Sequence, residues 1–100
     1  MIPQNIKLNK VKKYIQLSYE GEKHLLISAA FLRACSPSAN NKSHRKNPDP
    51  KLFNDIKIDQ IKKIGNYAIK IEFSDGHSTG IYSWEYLYKV GIKFQNFLTP

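Results

Sequence analysis

The sequence predicts an α+β domain of small antiparallel sheets and short helices. Two observations carry that expectation. Tyr67, Ile69, Ile71 and Phe73 alternate with Ala68, Lys70 and Glu72, the period of a half-buried strand. A hairpin followed by a short helix is also written twice, each copy with a turn glycine (Gly21, Gly76) and a serine that can cap the helix (Ser28, Ser83). The chain's 100 residues suit one domain with one core.

In chain order, strands are expected near Ile6–Leu8, Tyr14–Tyr19 and Leu25–Ile27, with Glu20-Gly21-Glu22 as a turn. Ser28 then caps a helix over Ala29–Cys35, with Ile27 and Leu32 placed as a hydrophobic staple. The stretch from Ser36 to Lys51, rich in Ser, Asn, Lys and Pro, is expected as a loop. Ile56, Ile58, Ile61 and Ile64 supply one or two further strands. The strand Tyr67–Phe73 turns at Asp75-Gly76 and returns as Ser78–Tyr82. Ser83 caps the next helix, Glu85 suits its positive end, and Gly91 is placed to end it. A tail from Ile92 to Pro100, with Phe94, Phe97 and Leu98, is expected to fold back on the core. Leu32 and Leu87 occupy matching places after their serines, so the two units form a weak internal repeat, or a chance likeness of two common motifs.

Composition bounds the function. With 41% hydrophobic and 24% charged residues the chain reads as globular. It has no apolar run long enough for a membrane span, no leader-like N-terminus, and a single cysteine, Cys35. These features point to the cytoplasm. The net charge is +8, but 14 of the 16 basic residues are scattered lysines. That pattern suits a solvated basic surface, with a nucleic-acid-binding module as the alternative. No phosphate loop, HExxH, CxxC or nucleophile elbow is present, so no catalytic residues are assigned and an enzyme is not expected.

Several residues could still carry chemistry. His77, at the Asp75-Gly76-His77 hairpin tip, is a metal ligand or a turn residue with local hydrogen bonds. Cys35 is a thiolate ligand or a small buried hydrophobe. His44 lies among Lys42, Arg45 and Lys46, whose charge opposes a cation. Trp84, Leu87 and Tyr88 have the spacing of a packed helix face, leaving Tyr86 as the exposed aromatic contact. Arg33, Ser36, Ser38 and Asp75 join Tyr86 as candidate partner-binding residues.

Phe31-Leu32-Arg33, Ser36-Pro37-Ser38-Ala39, Gly65-Asn66-Tyr67-Ala68, Phe73-Ser74-Asp75-Gly76-His77 and Gly80-Ile81-Tyr82-Ser83-Trp84 fall in that order. Together they resemble the gamma-butyrobetaine hydroxylase-like N-terminal domain, a domain of unknown function, and especially its compact stand-alone bacterial members. The resemblance covers about Ile6 to Gly91 and implies a single domain over residues 1–100. In larger oxygenases of that family the domain precedes a separate iron- and 2-oxoglutarate-dependent catalytic domain. The resemblance also implies where a structural zinc would sit. The three cysteines that hold zinc in those oxygenases fall on Ser36, Ser38 and Asn41 here and their histidine on His77, so a structural zinc is not expected. Relatives fused to P-loop ATPases of iron–sulfur cluster assembly imply an accessory or adaptor role in iron or iron–sulfur metabolism. The implied partner is such an ATPase or an oxygenase-related protein. A weak metal site would draw on His77, His44 and Cys35, with iron as the ion.

Overall fold

The structure is a computed structural model that describes residues 2–38, 41, 46 and 48–98. Strands β1 (Asn5–Leu8), β2 (Tyr14–Tyr19) and β3 (Lys23–Ser28) form one antiparallel sheet in the order β1-β2-β3 and lead into helix α1 (Ala29–Ala34). A 3-10 turn at Pro50–Phe53 follows. Strands β4 (Ile58–Ile64), β5 (Ala68–Phe73) and β6 (Gly80–Ser83) form the second antiparallel sheet and lead into helix α2 (Trp84–Leu98). The α+β class is therefore as the alternation predicts.

The repeat extends to individual hydrogen bonds. Tyr14 pairs with Ser28 and Ala68 with Ser83, at the same corner of each sheet. Ser28 Oγ accepts from the N–H of Phe31 at 3.0 Å, and Ser83 Oγ accepts from that of Tyr86 at 3.1 Å. Each helix's first N–H donates back to the carbonyl just before the middle strand, Ala29 to Lys13 at 2.7 Å and Trp84 to Tyr67 at 3.1 Å. Ile15, Leu17 and Tyr19 of β2 and Ile69, Ile71 and Phe73 of β5 are all buried in one hydrophobic cluster. Burying such side chains is worth roughly 1.5–3 kcal/mol each, which makes this shared core the main tie between the units.

Four details differ from the sequence expectation. Gly91 does not end α2, which continues to Leu98. A Cβ on Gly91 would lie 2.8 Å from Leu25 Cδ1 and 3.3 Å from Ile27 Cδ1, so its missing side chain lets the helix lie close on β3. The residues expected as a tail are helical, and they carry Phe94 to Phe31 with ring centroids 5.1 Å apart. Tyr67 stands before β5 and is exposed, its carbonyl taken by the N–H of Trp84. Strand β6 starts at Gly80, because the segment from Ser74 to Thr79 makes a wider turn than a two-residue hairpin. In that turn Gly76, at φ +87°, donates to the Phe73 carbonyl at 3.0 Å.

Candidate functional site

Helix α1 has six residues, too few to hold itself together. Like any helix it ends with carbonyls that lack a partner within the helix. Side chains from elsewhere satisfy them. Tyr82, buried in β6, donates its hydroxyl to the Leu32 carbonyl at 2.6 Å. Tyr86 of α2 donates to the Cys35 carbonyl at 2.5 Å. Asn41 is buried, and its Nδ2 donates to the carbonyls of Ala34 at 2.9 Å and Ser36 at 3.0 Å. Both halves of the repeat therefore meet at this helix end.

Charged and polar side chains gather at the same place. Arg33 Nε donates to Asp75 Oδ2 at 2.9 Å, and its Nη1 donates to Asn41 Oδ1 at 2.9 Å. The guanidinium also lies over the Phe53 ring, 4.7 Å from the centroid. Asp75 Oδ1 accepts from the N–H of His77 at 3.1 Å, which fixes the hairpin tip. His77 Nε2 then lies 2.7 Å from Ser36 Oγ and 3.2 Å from Ser38 Oγ. Ser36 is wholly buried. It fits only because its neighbour is glycine, since a Cβ on Gly80 would come within 2.5 Å of Ser36 Oγ.

These contacts set the electrostatics. Burial opposes ionisation of Asp75, but the His77 N–H and Arg33 outweigh it and hold the carboxyl below its usual range. Burial, reinforced by the Arg33 charge, lowers the His77 pKa against the opposing pull of Asp75. Burial pushes the Cys35 thiol up to about 11, with Lys93 acting the other way.

A family model described as gamma-butyrobetaine hydroxylase-like, N-terminal, matches residues 6–88. The chain belongs to this family. The crystal structure of a protein of unknown function from Acidithiobacillus ferrooxidans, a member of the DUF971 family, is similar at a TM-score of 0.74 and 24% identity. That similarity covers 89% of this chain and 91% of the other. Two NMR solution structures are 33% and 32% identical, with TM-scores of 0.73 and 0.69. They cover 96% and 97% of this chain and 77% and 76% of theirs. No curated protein matches it.

In this gamma-butyrobetaine hydroxylase-like domain, Ser36, Ser38 and His77 come together, and Asn41 lies against Ser36. Their chemistry does not fit a structural zinc, which takes four good nitrogen or sulfur ligands. Two donors are neutral hydroxyls, Asn41 points its amide nitrogen at carbonyl oxygens, and the Arg33 cation is bonded to the same asparagine. Among the described residues no three His, Cys, Asp or Glu side chains gather where a metal could sit. Cys35 lies in the hydrophobic cluster, and His44 is outside the described residues. Tyr86, expected at the surface, is half-buried with its hydroxyl on Cys35. Sequence reasoning gave no role to Gly80 or to the hydroxyl of Tyr82. A tyrosine in a fully buried position was the signal available, since a buried phenol usually finds a partner.

Proposed function

We propose that the domain is a non-catalytic accessory module that binds another protein. The observation that carries this reading is that the polar cluster is engaged with itself. Arg33 is held by Asp75 and Asn41, and His77 by Ser36 and Ser38. Such an arrangement supports a clasp between α1 and the β5–β6 turn better than it supports acid–base work. A thiol with its pKa near 11 is also a poor nucleophile and ligand at neutral pH. In this reading the domain folds without metal. The connection to iron or iron–sulfur metabolism enters through the family resemblance, which makes an assembly ATPase or an oxygenase-related protein the partner class.

The test is recovery of the chain with its partners from cells that make it, then reconstitution from purified components. A stoichiometric protein complex that persists at near-physiological salt is the expected result. Recovery of nucleic acid alone, with binding that falls steeply as salt rises, would replace this reading by the nucleic-acid one.

A further inference from the structure

Strands β2 and β3 bury Ile15, Leu17, Leu25 and Ile27, which leaves the alternate residues on the outer face of the first sheet. There Tyr14 is 39% exposed and Leu26 44% exposed. Two hollows meet at Tyr14. One, of about 240 Å³, lies over the sheet between Lys7, Leu8, Gln16 and Leu26. The other, of about 290 Å³, runs past Ala30, Ile56 and Leu98, with Lys13 in its lining. Among the described residues, the charged side chains lining them are Lys7 and Lys13, and no carboxylate lines either. The turn between β1 and β2 adds Lys10 and Lys12, both exposed. Asn9 fixes that turn, its Oδ1 accepting from the N–H groups of Lys13 at 2.9 Å and Tyr14 at 3.0 Å.

Partly apolar hollows whose described charged lining is positive complement a ligand with an apolar anchor and negative neighbours. A single-stranded nucleic acid is a poorer match, because successive bases need several exposed rings, and among the described lining residues of the sheet hollow Tyr14 is the one ring. We infer that this face docks an acidic segment of a partner protein. An aliphatic or aromatic side chain sits beside Tyr14, and carboxylates face Lys7 and Lys13. The inference rests on the protein-binding reading above and names its surface.

A random peptide library displayed on phage and selected on the full chain tests it. Selected peptides should be rich in Asp and Glu around one large apolar residue, and should shift the backbone amide signals of β2 and β3. Lys7→Glu with Lys13→Glu should weaken them at least about tenfold, while Lys63→Glu, on β4, leaves them unchanged. Amide spectra of each variant establish that it is folded. Neutral or basic winners, no enrichment, or shifts elsewhere on the chain would overturn this surface. The protein-binding reading would then stand or fall on reconstitution with the natural partner. An RNA oligonucleotide that binds this face more tightly than the acidic peptides would overturn both.

Discussion

Ser36 Oγ lies 2.7 Å from His77 Nε2, joining the segment after α1 to the turn between β5 and β6. A typical intramolecular hydrogen bond contributes about 0.5–1.5 kcal/mol to stability, and this one is part-buried, with Ser38 Oγ 3.2 Å from the same nitrogen. Ser36→Ala should therefore lower unfolding stability by an amount in that range, measured by urea titration.

Gly80→Ala should be destabilising by about 1–3 kcal/mol, as overpacked sites are. The cause is specific, because the added carbon meets Ser36 Oγ. The penalty should shrink when Ser36→Ala is already present, and equal penalties in the two backgrounds would break the assignment.

The depressed pKa of His77 predicts a direction with pH. Its imidazole is held neutral in the folded chain, while the unfolded chain takes up a proton near the ordinary value of 6.5. The resulting stability is present above about 6.5 and is lost as pH falls from there through the folded pKa. His77→Gln should flatten the stability curve across that window. Asp75 adds a second loss at lower pH, beginning at its ordinary 3.8 and completed below its depressed folded pKa.

Strand positions and helix starts were legible because they depend on neighbours in sequence. The alternation over Tyr14–Tyr19 and the serines Ser28 and Ser83 act within a few residues. Gly91 was misread because its role depends on Leu25, which is distant in the chain and adjacent only after folding. The same holds for Tyr82, whose partner is the Leu32 carbonyl of α1, whereas Asn41 reaches carbonyls only a few residues back in the chain. Local pattern showed Tyr82 as apolar and Asn41 as loop-like, and gave neither its hydrogen-bond partner.

Helix propensity alone says that Gly91→Ala stabilises α2 by up to about 1 kcal/mol. Packing says the reverse, since Leu25 is buried and stands 2.8 Å from the new carbon. Packing should win, and a lower thermal midpoint is the expected result.

Tyr19 presents the opposite case. Its ring is buried edge-on to Tyr88, 5.5 Å between centroids, yet its hydroxyl has no hydrogen-bond partner among the described residues. Burial accordingly raises its pKa to about 12, with a smaller contribution from Tyr88. Tyr19→Phe removes an unsatisfied group and keeps the ring, so it should be neutral or stabilising by up to about 1 kcal/mol in urea unfolding.

The central claim is that Ser36 and Ser38 clasp His77 by hydrogen bonds, with Asn41 bracing the segment after α1, in the place where the family resemblance implies a zinc. The most direct measurement is urea unfolding of chain purified without added metal, with and without a chelator, alongside its metal content. The account predicts the same midpoint in both conditions and far less than one metal ion per chain. Near-stoichiometric zinc or iron, together with loss of the fold in chelator, would contradict it.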